Sequence, residues 1–246
     1  MQPEKKAPRV CIILPAYREE SRIGPVIEAL VAQKLDVVVV DDGSPDKTSD
    51  VARAAGAVVI RQEPNQGKGA ALERGFAYAR EQHFDAVITM DSDGQHLPAE
   101  ASLFIEAFER TGIPALVGNR MWDVENMPFV RLMTNRFMSW LLGRLMKQYV
   151  PDTQCGFRLY RSDILPFVTS SSQRFAAESE VLLKLAHRGL RIDSVRISTV
   201  YGGEQSKINP VADTVRFFSM LLAYYKDRRQ EDLARRKQIA QAVRRE

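Results

Sequence analysis

Short apolar runs alternate with longer amphipathic stretches through the first half of the chain. The runs at 10–14, 37–40, 58–60, 86–90 and 116–117 are β-branched and continuous rather than alternating in polarity. That is the pattern of strands covered on both faces by helices. Between them, helices are predicted over 23–33, 48–55, 68–82 and 98–110. This βαβα order predicts an α/β fold with a doubly wound sheet. In such sheets ligands bind at the carboxyl ends of the strands. Polar clusters fall at those ends: "PAYREE" after the first strand, "DDGSPDKT" after the second, "NQGKG" after the third and "DSDGQH" after the fourth.

The second half is less regular. It predicts one long helix over 129–150, a loop "PDTQCGFRLY" leading into a short strand, and a helix over 178–188. A strand over 191–200 and a final amphipathic helix over 211–226 complete it. There is no internal repeat. Residues 1–226 are expected to form one domain and 227–246 a basic helical tail.

Composition changes this picture little. The chain has 246 residues, 45% of them hydrophobic and 27% charged, as expected of a globular α/β domain. Cys11 and Cys155 form no CxxC pair, so neither a disulfide nor a zinc site is expected and a reducing cytoplasm is the expected setting. Positions 10–14 are too short for a signal-peptide core, and the apolar run at 217–225 is too short to span a bilayer, which takes about 20 residues.

Charge is unevenly spread. Residues 226–246 hold eight Lys/Arg and four Asp/Glu, an excess equal to that of the whole chain, 35 against 31. The tail reads either as a solvated helix or as a segment drawn to anionic lipid. Nucleic acid is disfavoured as a partner, because no aromatics are interleaved with these charges. In the long helix, Arg136, Trp140, Arg144 and Lys147 share an arc of about 80°, so a solvated face and an interfacial one are both open.

The candidate chemistry lies at the strand ends. Asp91, Asp93 and Gln95 are oxygen-bearing side chains at alternate positions just past a strand, and in an extended segment they share a face. They could converge on a hard cation, Mg²⁺ or Mn²⁺, with substrate phosphates and water filling the other positions. An Asx-type turn capping the next helix is the competing reading. A calcium loop fits poorly, since Gly94 comes too early and Pro98 interrupts the ligand series. "NQGKGAAL" is not a Walker A loop, yet Lys68 and the amides opening a helix favour an anion. Asp42 could accept hydrogen bonds from a base and a ribose. His96 is the one histidine inside the cluster, and no serine has a paired base, so a hydrolase triad is not expected.

Taken in order, "LPAYREE", "VVDDGSPDKT", "NQGKGAAL", "MDSDGQHLP", "GNR", "DTQCGFRLYR" and "EQSK" resemble family 2 glycosyltransferases. The likeness is greatest to the dolichyl- and polyprenyl-phosphate sugar synthases of that family. The resemblance covers about residues 9–210 and implies a single-domain GT-A fold, with a mixed, mostly parallel sheet and helices on both faces. By that resemblance Pro15, Tyr17, Glu19 and Asp42 would hold the nucleoside. Asp91, Asp93 and Gln95 would hold the metal on the donor diphosphate, with Ser92 touching the same donor. Arg120 would serve the diphosphate or acceptor phosphate, and Lys207 would close over the donor. Arg18 stands where the family commonly has Asn, Cys155 where Ser is common, and no arginine precedes Ser206–Lys207.

The implied activity is inverting, metal-dependent transfer from a UDP- or GDP-sugar to a polyprenyl phosphate at the cytoplasmic membrane face, with Asp93 and Arg120 as catalytic residues. A hydroxyl acceptor and a non-catalytic nucleotide-sugar binder are the alternatives. A sugar hydroxyl needs a carboxylate base. The nearby candidates are Asp152, Glu178 and Glu180, and neither the ED pair nor the QxxRW motif of hydroxyl-directed relatives stands between 152 and 207. A phosphate needs only cations, which Arg120, Arg131 and Arg158 could supply.

Overall fold

The computed structural model describes residues 7–125, 127–170, 175–198 and 210–243. Its strands are β1 (Val10–Ala16), β2 (Asp36–Asp41), β3 (Val58–Arg61), β4 (Ala86–Thr89), β5 (Ala115–Asn119), β6 (Arg158–Arg161) and β7 (Ile192–Arg196). Its helices are α1 (Ile23–Val31), α2 (Thr48–Ala54), α3 (Lys68–Glu81), α4 (Ala101–Thr111), α5 (Phe129–Met146), α6 (Phe175–His187) and α7 (Pro210–Val243). The strands form one sheet in the order β3-β2-β1-β4-β6-β5-β7. Every pairing is parallel except those of β6, which runs antiparallel to both β4 and β5. The α/β fold with a mixed, mostly parallel sheet is the one expected.

β1 lies where strand order reverses, with β2 on one side and β4 on the other. All seven of its residues are buried, which explains why its sequence carries no polar alternation. The carboxyl ends of β1, β2, β4 and β5 therefore open on one rim, and the antiparallel β6 brings its amino end there too. The loop before β6, residues 152–157, thus joins the strand-end loops. The Thr89 hydroxyl donates to the Gly156 carbonyl at 3.0 Å, tying that loop to the end of β4.

Several boundaries differ from expectation, among them the start of α6 at Phe175 rather than 178. The 98–110 helix opens as a 3-10 turn over Pro98–Glu100 before α4 begins. The long helix ends at Met146 rather than 150, because Lys147 enters the left-handed region at φ 55° and Gln148 N–H closes on the Gly143 carbonyl. The final helix does not stop at 226 but continues to Val243. The strand expected over 191–200 is seen as β7, and its last two positions lie outside the described residues.

Candidate active site

The site begins with how two loops are held. Asp41 and Asp42 end β2, both buried. Asp41 accepts from the Ser44 N–H (2.8 Å), the Ser49 hydroxyl and Arg61 Nη1 (3.0 Å). Ser44 in turn accepts from the Arg18 N–H, and the Thr48 hydroxyl accepts from the Glu19 N–H. The turn after β1 is therefore fixed by the turn after β2. Asp42 accepts from Gln62 Nε2 (2.6 Å) and from the Gln66 and Gly67 N–H groups (2.7 Å each). Its carboxylate organises the "NQGKG" loop that starts α3, and three donors leave one of its roughly four acceptor sites for a further partner.

Tyr17 projects from the β1 rim, 41% exposed, with the Arg18 guanidinium 5.2 Å from its ring centre. Arg18 itself is left-handed at φ 59°. Asn, the residue that the resemblance expects here, tolerates that conformation more readily than most side chains. Pro15 is buried, and its carbonyl accepts the Ser92 hydroxyl at 2.9 Å. Ser92 is thus spent joining the β1 and β4 rims. Glu19 lies at the head of α1, its carboxylate 3.9 Å from Arg22.

The Asp42-held loop delivers Lys68 to the centre. Its ammonium stands 2.7 Å from Asp91 Oδ1 and 3.0 Å from Glu178 Oε1, so it bridges the end of β4 and the first turn of α6. Desolvation opposes the charge on Lys68, but the two carboxylates outweigh it and hold its pKa above the ordinary lysine value. Asp91 is the mirror case. Burial pushes it up, and Lys68, with His96 and Arg120 adding, brings it below the ordinary carboxylate range. Asp91 also approaches the backbone closely. A Cβ at Gly156 would lie 2.8 Å from Asp91 Oδ2, so any larger residue there would displace the Asp91 carboxylate. Asp93 Oδ1 accepts the Gln95 N–H at 3.0 Å in an Asx-type turn. Among the described residues, no three His, Cys, Asp or Glu side chains converge on a point that could hold a metal.

His96 is buried against Phe157, with ring centres 5.2 Å apart, and its Nδ1 has no hydrogen-bond partner among the described residues. Burial pushes its pKa down to about 4 despite the pull of Asp91, so the imidazole is neutral near pH 7.

Arg120, at the end of β5, is buried in a bidentate pair with Asp152, Nε to Oδ2 at 2.6 Å and Nη2 to Oδ1 at 2.9 Å. Asn135 adds a third donor to Asp152 at 2.9 Å. Arg158 is held by the backbone around it. It is buried and donates to the Cys155, Thr153 and Glu178 carbonyls and to the Tyr160 hydroxyl. It braces the 152–157 loop with four of its five N–H donors. Arg131 lies on α5, partly exposed. Lys207 lies outside the described residues.

The structure thus gathers Lys68, Asp91, Arg120 and His96 at one rim, with Asp93 beside them. It adds Glu178, Gly156 and Asp152, whose contacts the sequence did not signal. Glu178 is 110 positions from the lysine it touches. Gly156 was visible only as part of a motif.

Known proteins resemble this chain in sequence and in fold. The family model for glycosyl transferase family 2 matches residues 11–167. A dolichyl-phosphate hexose transferase of Haloferax volcanii is 31% identical over 82% of this chain and 88% of its own length. An undecaprenyl-phosphate mannosyltransferase of Micrococcus luteus is 30% identical over 78% of this chain and 84% of its own. Among solved structures, the glucosyl-3-phosphoglycerate synthase of Mycobacterium tuberculosis bound to UDP superposes with a TM-score of 0.72, at 23% identity, over 88% of this chain and 80% of that one. Its complex with Mn²⁺, UDP and glucosyl-3-phosphoglycerate gives 0.68 at 21% identity, with the same coverage.

Proposed function

Because the chain belongs to glycosyl transferase family 2 and is a glycosyltransferase, we propose that it moves a sugar from a UDP- or GDP-sugar to a polyprenyl phosphate at a membrane surface, with inversion. One observation carries the choice of acceptor. The three carboxylates read as candidate bases toward a hydroxyl are each already engaged by a cation. Asp152 is paired with Arg120, Glu178 with Lys68, and Glu180 with Lys184 at 2.7 Å and the Ser170 hydroxyl at 2.8 Å. A carboxylate already paired with a cation is a poor proton acceptor. A phosphate monoester is already anionic at neutral pH and needs none. The relatives named for dolichyl and undecaprenyl phosphate support the same acceptor class.

In this reading an acceptor phosphate oxygen attacks the anomeric carbon as its bond to the donor diphosphate breaks, and the electron pair leaves on the diphosphate. Tyr17 offers its exposed ring to the base, and Glu19 lies on the same rim. Lys68 and Arg120 place positive charge near where the leaving oxygen develops its negative charge. Arg131 is the cation proposed for the acceptor phosphate, and Lys207 for the donor.

Asp91, Asp93 and Gln95 fit a hard divalent cation by their chemistry. All three offer oxygen, and the missing Cβ of Gly156 leaves Asp91 room. Two carboxylates leave most positions to water and donor phosphate, which is the habit of Mg²⁺ and Mn²⁺ sites. The ion would supply charge neutralisation at the leaving diphosphate. Lys68 would then release Asp91 and keep Glu178.

The test is turnover of UDP- and GDP-sugars with a short-chain polyprenyl phosphate, with Mn²⁺, with Mg²⁺ and with EDTA, the product identified by mass spectrometry. Metal-dependent formation of a glycosyl polyprenyl phosphate is expected. Transfer to hydroxyl acceptors alone would overturn the acceptor, and full activity in EDTA would overturn the metal.

A further inference from the structure

The outer face of α5 is apolar and positively charged at once. Phe129 (72% exposed), Val130, Met133, Phe137 and Trp140 (57%) all stand in solvent. Arg136 and Arg144 are exposed among them. At 100° per residue these seven positions fall within an arc of about 120°. Phe137 and Trp140 stack with ring centres 6.2 Å apart, and the Arg144 guanidinium sits 5.6 Å from the Trp140 ring. Just past the helix, Lys147 and Tyr149 (87% exposed) extend the same mixture. No acidic residue occurs between Glu125 and Asp152.

α7 packs on α5 and carries a second stripe. Val215, Phe218, Leu222 and Tyr225 are all exposed and share an arc of about 80°, with Arg229 inside it and Lys226 at its margin. Neither helix is long and apolar enough to cross a membrane.

We infer that the exposed aromatic and basic face of α5, extended by α7, docks this enzyme on an anionic lipid bilayer. The charge pattern selects the occupant. A second copy meeting this face about a twofold axis would set Arg136, Arg144 and Lys147 against like charges. Anionic headgroups neutralise the same cations while the rings enter the headgroup boundary, where an amphipathic ring such as Trp140 is stable. The inference rests on the polyprenyl-phosphate reading for its purpose, since it would bring the site to an acceptor anchored in lipid. It is tested apart from that reading.

The assay is co-sedimentation at low salt with vesicles of phosphatidylcholine and phosphatidylglycerol, containing no polyprenyl phosphate, against vesicles of phosphatidylcholine alone. Binding to the anionic vesicles only is expected, weakening as salt is raised. Arg136→Gln/Arg144→Gln should lower the partition coefficient about thirtyfold, from the contribution of two basic side chains near a charged surface. Phe137→Ser/Trp140→Ser should lower it by at least about tenfold, from the ring area withdrawn from lipid. All four side chains are exposed, so both variants should melt as the wild type does. In Trp122→Phe, Trp140 is the one remaining tryptophan, and its emission should shift to the blue on the anionic vesicles.

No binding at low salt, or binding unchanged in both double variants, would overturn the inference. So would a dimer in light scattering that Phe137→Ser/Trp140→Ser converts to monomer, because a second copy would then cover the face. Vesicle binding without transfer to the short-chain acceptor would sink the functional reading and leave the surface standing. Transfer without vesicle binding would do the reverse.

Discussion

Asp152→Asn separates the structural part of the site from the chemical part. Asp152 is fully buried and Arg120 nearly so. The carboxylate accepts Nε and Nη2 of Arg120 at 2.6 and 2.9 Å, the Arg120 N–H at 3.3 Å and Asn135 Nδ2 at 2.9 Å. An asparagine keeps the shape but turns an amide N–H toward groups that are all donors. It also strands a guanidinium that cannot lose its proton. Breaking a buried pair from one side costs about 3–5 kcal/mol. In a chain of this size that corresponds to a fall in Tm of about 6–20 °C. The measurement is thermal and urea unfolding of both proteins across pH.

The pH sign follows from the pair. Burial raises the Asp152 pKa, but Arg120 more than offsets it and the net value lies below the ordinary 3.8. The stabilisation is therefore fully present above the unfolded value and is lost as pH falls through the lower folded one. The gap between wild type and variant should be constant near neutrality and close in acid. Arg120→Met/Asp152→Leu should recover much of the stability, since an apolar replacement of a buried pair is often neutral or better. It should not recover turnover if Arg120 serves the diphosphate. A single variant melting within about 2 °C of wild type would refute the reasoning, because that shift is worth at most about 1 kcal/mol.

Asp93→Ala should abolish turnover while changing stability by less than about 1 kcal/mol, as it removes one turn hydrogen bond at a strand end; wild-type-like turnover would remove Asp93 from the proposed metal site. Gly156→Ala, whose Cβ would stand 2.8 Å from Asp91 Oδ2, should fold and lose about 10- to 100-fold in kcat, and unchanged kinetics would mean that the placement of Asp91 is not critical. Glu180→Gln should keep at least about a tenth of the rate with a polyprenyl phosphate, because removing a true base costs about 10²–10⁴-fold; collapse to background would restore the base hypothesis.

What the sequence determined by itself is what short-range patterning encodes. Continuous β-branched runs and the helices between them follow from local periodicity, and their carboxyl ends line the rim that holds Lys68, Asp91 and Asp93. The ends of elements were less legible, since Lys147 stops α5 through a backbone conformation that its side chain does not advertise. The short strand expected at "PDTQCGFRLY" is β6, four residues with an arginine at each end, which do not announce its antiparallel course between β4 and β5. Its placement belongs to the tertiary structure, and so do the partnerships that decide chemistry. Lys68 finds Glu178 and Arg120 finds Asp152 only because distant loops meet at one rim. Arg158 resembles a phosphate-binding arginine in sequence, yet carbonyls that fold around it take up most of its donors. Charge type is written locally. The partner that neutralises each charge, and hence whether it is available to a substrate, is set by contacts that no local pattern specifies.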